Sequence, residues 1–300
     1  MDVKKTRRAG WRGLVLLAGL ALGLGGAASA RAATILFVGN SFTYGANSPV
    51  WKYRAGTVTD LNGTGVGGVP ALFKVFTQQA GLDYTVSLET VGGADLAFHI
   101  REKAALVDRH WDHVILQGYS TLDQARPGDP ASLIHDAPIF AQMLHAKNPA
   151  VDVRLTATWS RADQTYPIAG HWHGKPVETM ARDLRRAYEI AKISSPQIRG
   201  VIPVGDAWNR AFESGFADAN PYDGIEAGKV DLWTWDHYHA SAYGYYLEAL
   251  MVFGAITGHD PLSLGPREVA AQELGISPAQ TTTLQQLAHD ELAAQAAGGR

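Results

Sequence analysis

From about residue 34 onward the chain alternates between short apolar runs rich in β-branched residues and longer stretches whose apolar positions recur every three or four residues. Five runs read as strands: 35–39, 85–91, 113–117, 153–158 and 201–204. Helical spacing marks 69–79, 96–109, 131–146, 177–193 and 240–257, the last stopping before Gly258 and Pro261. Strands and helices taking turns in this way predict a parallel sheet covered on both faces, a three-layer α/β/α fold of flavodoxin-like type. Residues 263–300 read as a polar, alanine-rich helical extension.

Two segments are too long to be simple connections. Residues 44–68 end in a glycine-rich run, and residues 160–175 contain His171-Trp172-His173. Both follow a strand at its carboxyl end, the edge at which open α/β sheets bind ligands. The glycine run lacks the strand-turn-helix spacing and the lysine of a phosphate loop.

The start of the chain has a different character. Lys4, Lys5, Arg7, Arg8 and Arg12 precede an apolar stretch, 14–26, and a small-residue cleavage site at Ala28-Ser29-Ala30 or Ala30-Arg31-Ala32. That is the layout of an export signal. The apolar stretch is shorter than the roughly 20 residues that span a bilayer. The expected organisation is therefore a signal peptide over 1–32, a main domain over 33–262 and the helical extension over 263–300, with the mature protein periplasmic or secreted and not inserted in a membrane. Six basic residues and one acidic residue fall within 1–32, which leaves 20 basic against 28 acidic. An acidic surface with no basic run disfavours nucleic acid as a partner. The absence of cysteine excludes disulfides, zinc-thiolate sites and thiol catalysis.

Candidate chemistry gathers at the strand ends. Ser41, in Gly39-Asn40-Ser41-Phe42-Thr43, follows the first strand; Gly92-Gly93 follow the second; Gln117 closes the third. Parallel strands share one carboxyl edge, and in a 2-1-3-4-5 strand order Ser41 and Gln117 face one another where the chain reverses direction. Near the other end, Asp236-His237-Tyr238-His239 sets a carboxylate three residues before an imidazole. A serine becomes a nucleophile when a histidine takes its proton, and a carboxylate holds that histidine in the right tautomer. The backbone amides of Ser41 and Gly93 and the side-chain amide of Gln117 are candidate oxyanion donors. This reading needs no metal and no cofactor. The competing one uses Asp236, His237 and His239 with His171 and His173 as metal ligands.

In these blocks the chain resembles the SGNH (GDSL-type) hydrolases, over the span from Gly39 to about Gly258. The resemblance implies Ser41 as nucleophile and first oxyanion donor, Gly93 as second donor, His239 as base and Asp236 as its orienting partner. Asn40 stands where that family usually has an acidic residue. The third block, Gln117-Gly118-Tyr119-Ser120, departs from Gly-x-Asn-Asp and is similar to the Gln-Gly-Glu-Ser run of the sialate and xylan acetylesterase branches, which would make Gln117 the third donor. Aromatic residues concentrate in the loops at this edge, and Trp159, Trp172 and Trp235 are the candidates for stacking on a sugar. The expected activity is a serine esterase removing acetyl or other short acyl groups from a carbohydrate. The alternatives are a lipase or thioesterase of the same type, or a carbohydrate-binding protein that has lost the chemistry.

Overall fold

A computed structural model describes residues 1–2, 31–167 and 169–298, so the expected export signal lies almost wholly outside the described residues. In Ala32–Arg300, a single unit, the strands are β1 (Ala33–Gly39), β2 (Thr59–Asp60), β3 (Tyr84–Thr90), β4 (His113–Leu116), β5 (Asp152–Ala157) and β6 (Ile198–Pro203). They form one sheet in the order β2-β3-β1-β4-β5-β6, with every neighbouring pair parallel. Without the two-residue edge strand β2, this is the expected 2-1-3-4-5 order.

The helices are α1 (Ser41–Tyr44), α2 (Gly68–Gln79), α3 (Leu96–Glu102), α4 (Ala104–Val107), α5 (Ala131–Lys147), α6 (Ala162–Thr165), α7 (Glu178–Ile193), α8 (Val204–Glu213), α9 (Ala242–Thr257), α10 (Val269–Glu273) and α11 (Pro278–Gly298). Alternation along β1 explains the layers. Ile35 and Phe37 point into a core shared with α2, α8 and α9, while Leu36 and Val38 point into a second core with α5 and α7. Both faces of the strand are thus buried, which is why its sequence is an unbroken apolar run. Helix α9 is apolar nearly all round because it lies within the first core, and α11 covers it with Leu284, Leu287 and Ala288.

Three features differ from the sequence expectation. The helix expected over 96–109 breaks at Lys103 (φ −121°) into α3 and α4. Helix α8 begins directly at the end of β6, where a strand and no helix was expected. The segment 44–68 is not all loop, because Leu88 draws the Asp60 region to the edge of β3 as β2.

Candidate active site

Strand β1 delivers Ser41 in two steps. Gly39 closes the strand where a Cβ would lie 2.2 Å from Thr43 Oγ1 and 2.7 Å from Gln117 Oε1, so only glycine fits between β1 and β4. Asn40 then caps α1, its Oδ1 accepting from the Phe42 amide at 3.2 Å. Its Nδ2 donates to the carbonyls of Ala94 (3.0 Å) and Gly118 (3.1 Å), tying the ends of β1, β3 and β4 together. An aspartate has no hydrogens for those two carbonyls, which accounts for asparagine here. Ser41, 6 % exposed, is the first residue of the helix, and its backbone N–H has no acceptor among the described residues.

Across the reversal point, Gln117 is buried. Its Oε1 accepts from the Asn40 amide (3.0 Å) and from Thr43 Oγ1 (3.1 Å), and its Nε2 donates to the Gly118 carbonyl. The side chain therefore positions the Ser41 turn, and one of its two amide hydrogens stays uncommitted among the described residues. After β3, Gly93 sits in a turn at φ +71°, a conformation that favours glycine. No acceptor takes the Gly92 or Gly93 amide among the described residues.

The loop before α9 presents the acid and the imidazole. Asp236 Oδ1 accepts from Thr234 Oγ1 (2.8 Å), the Tyr238 amide (3.0 Å) and the His239 amide (2.9 Å). Its Oδ2 takes His239 Nδ1 at 2.6 Å. Burial alone would raise this carboxyl, but the hydrogen bonds from His239, Thr234 and Tyr238 outweigh it and hold the group far below the usual carboxylate range. His237 occupies the turn at φ +52° and packs its ring on Tyr222, away from the pair. His239 is 8 % exposed, and its Nε2 is buried with no hydrogen-bond partner among the described residues. With Nδ1 bonded to the carboxylate, Nε2 is the nitrogen left to accept a proton.

Three contacts hold this loop and α9 against the serine turn. Asn47, at φ +58° just beyond α1, donates to Asp236 Oδ2 at 2.7 Å. Phe42 packs its ring 5.7 Å from that of His239, and Tyr245 Oη donates to the Ser41 carbonyl at 3.1 Å. Arg161 adds a further support: its guanidinium lies 3.5 Å over the Tyr238 ring, which itself sits 3.9 Å from the His239 ring, and it reaches Ser120 Oγ at 3.2 Å. Sequence reasoning missed Asn47, Arg161 and Tyr238. Asn47 carried one usable sign, since asparagine is among the few residues that tolerate the left-handed region.

Two of the three tryptophans expected to bind a sugar do not reach the surface. Trp159 is 0 % exposed, sandwiched between Phe42 (4.3 Å) and Trp208 (4.7 Å). Trp172 is also 0 % exposed and donates its Nε1 to Asp183 Oδ2 at 3.0 Å. The second core claims the indole of Trp172, and the first that of Trp159, so neither can stack on a ligand. Trp235, beside Asp236, is 78 % exposed. His171 turns to Trp172 and Asp183 and does not join Asp236 and His239. No group of three or more histidine, aspartate or glutamate side chains that could hold a metal occurs among the described residues. Clefts of about 520 and 600 Å³ border Arg199, Gly200 and α11 and contain none of the residues of this cluster.

No protein-family model matches the chain, and no curated protein matches it. Solved structures do. A DUF4886 family protein from Bacteroides uniformis superposes with a TM-score of 0.62 at 19 % identity, over 87 % of this chain and 95 % of the other. A candidate GDSL-like lipase from Parabacteroides merdae superposes with a TM-score of 0.51 at 14 % identity, over 76 % and 96 %. At such identities the likeness concerns the fold. The chain shares with these structures an open parallel sheet with flanking helices, the α/β fold of that GDSL-like lipase, and carries a helical segment at its carboxyl end.

Proposed function

We propose that this protein is a serine esterase that hydrolyses short acyl esters through an acyl-enzyme on Ser41. The observation that carries the reading is the Asp236–His239 pair, bonded at Nδ1 and open at Nε2, held against the Ser41 turn by Asn47 and Phe42. Ser41 Oγ would attack the acyl carbon as its proton passes to His239 Nε2. The resulting oxyanion would be met by the free amides of Ser41 and Gly93, with the uncommitted hydrogen of Gln117 as third donor. The imidazolium, stabilised by Asp236, would return the proton to the departing alcohol, and water would release the acid by the same route in reverse.

The alcohol side is proposed to be a carbohydrate. Exposed tryptophans remain at this edge to support it, Trp51 at 42 % and Trp235 at 78 %. A periplasmic or secreted location is proposed on the basic and apolar start of the chain; among the described residues no helix is long and apolar enough to cross a membrane. Hydrolysis of 4-nitrophenyl acetate by the purified domain, lost by at least about a thousandfold in Ser41→Ala and in His239→Ala, is the expected result. Equal rates in all three proteins would end the esterase reading.

A further inference from the structure

A cleft of about 430 Å³ opens beside the Gly92–Gly93 turn, lined among others by Tyr44, Trp51, Asn62, Thr64 and Lys103. It adjoins the candidate catalytic centre on two sides. Gly92 precedes the candidate oxyanion donor, and Tyr44 ends the helix that Ser41 begins.

Lys103 is the feature of this cleft that the esterase chemistry does not use. Its Nζ donates to Asn62 Oδ1 at 2.9 Å. Asn62 in turn donates to Glu89 Oε1 (2.9 Å) and to the Thr90 carbonyl (3.1 Å). Glu89 is fully buried on β3, with its other oxygen against Nδ1 of the equally buried His99. The ammonium thus stands at the end of a chain of bonds rooted in the sheet, where a surface lysine would swing free.

An ammonium has three hydrogens, and only one is spent on Asn62. No ion pair joins Lys103 to a carboxylate among the described residues. Asp60, two residues before Asn62, turns its oxygens to the amides of Asn62 (3.0 Å), Thr64 (2.7 Å) and Val66 (3.3 Å) and to Thr64 Oγ1 (2.7 Å), and forms no ion pair with Lys103. A second positive charge lies at the rim, since Lys52 Nζ sits 5.0 Å over the Trp51 ring. A neutral group filling the cleft would strip water from an unpaired ammonium, which costs free energy; a carboxylate would replace that water with an ion pair.

We propose that this cleft is a subsite for a carboxylate carried by the ester substrate, with Lys103 as its counter-ion and the Trp51 ring flanking the group that bears it. The assignment rests on the esterase reading for its place beside the scissile bond. The carboxylate can belong to the alcohol half or to the acyl half of the ester, and the two are separable.

The kinetic test compares three esters: 4-nitrophenyl acetate, which is neutral; 4-acetoxybenzoate, charged on the leaving phenol; and 4-nitrophenyl hydrogen succinate, charged on the acyl half. In Lys103→Met the ratio of kcat/KM for a charged ester to that for the neutral one should fall at least tenfold, and Lys103→Arg should keep most of it. The charged ester that responds identifies the half. An unchanged ratio for both would overturn the subsite.

A binding arm stands apart from catalysis. By calorimetry, Ser41→Ala should bind benzoate at least tenfold more tightly than benzamide, and adding Lys103→Met should abolish the preference. No preference for benzoate would overturn the proposal. Inactivity of the unaltered protein toward all three esters would sink the esterase reading, and the calorimetric result would then decide the subsite alone.

Discussion

Replacing Asp236 with asparagine keeps the shape of the acid loop and removes one charge. The amide oxygen can still take the three bonds that reach Oδ1, from Thr234, Tyr238 and the His239 amide. The new NH2 group then occupies the place of Oδ2, where it meets Asn47 Nδ2 and His239 Nδ1, which now sit 2.7 and 2.6 Å from a carboxylate oxygen. A donor facing Nδ1 forces the imidazole to accept there and to carry its proton on Nε2. In that tautomer it cannot take the proton of Ser41. The comparable change in serine proteases costs about 10⁴ in kcat, or about 5.4 kcal/mol of transition-state stabilisation.

The assay is 4-nitrophenyl acetate hydrolysis at pH 7.5, with circular dichroism to establish that Asp236→Asn is folded. Stability supplies a second readout with a definite sign. Asp236 has a folded-state pKa lowered below its ordinary value of 3.8. Its contribution is therefore present above that value and is lost as the pH falls through the folded pKa. The stability gap between the parent and Asp236→Asn should accordingly narrow on acidification below about pH 4. Activity of Asp236→Asn within tenfold of the parent, while His239→Ala is inactive, would refute Asp236 as the group that sets the tautomer.

Other consequences concern the core. Trp159→Ala removes an indole stacked on both faces and should cost about 3–5 kcal/mol; a thermal midpoint lowered by roughly 10 °C is expected, whereas an unchanged midpoint with a raised KM would restore the sugar-stacking role. Glu248, on α9, is fully buried with Oε2 unpartnered among the described residues, and burial raises its carboxyl well above its ordinary value of 4.5. The folded state then holds a proton that the unfolded state releases, so stability is lost as the pH rises from the unfolded value toward the folded one, by up to about 1.4 kcal/mol per pH unit. Glu248→Gln should be more stable than the parent at pH 7.5 and nearly equal at pH 4.5; a gap independent of pH would refute the buried proton.

The fold was legible in the sequence because its signals are local. A doubly buried strand such as β1 must be apolar at successive positions, and an amphipathic helix such as α7 must repeat every three to four, whatever lies elsewhere in the chain. Helix α8 escaped because it starts at Val204, the residue after the end of β6, so that one apolar run serves two elements. Strand β2 escaped because two residues carry no periodicity, and their pairing with Ser87 and Leu88 is made by β3.

The candidate site divides along the same line. Ser41 was named by residue type and its place at the end of the first strand, and Asp236 and His239 by their Asp-x-x-His spacing before the last helix, all properties of the chain itself. The partners of those residues, and which side chains face solvent, depended on packing. Trp159 and Trp235 look alike in sequence, both aromatic and both in loops at the active edge. One is locked between Phe42 and Trp208, and the other is 78 % exposed. Asn47 and Asp236, 189 positions apart, meet at 2.7 Å only when the sheet brings the first loop to the last. The succession of apolar runs and amphipathic stretches determined by itself the layers and the edge where the candidate chemistry gathers. Burial and long-range hydrogen bonds, which no local pattern encodes, decided which side chains at that edge are free to act.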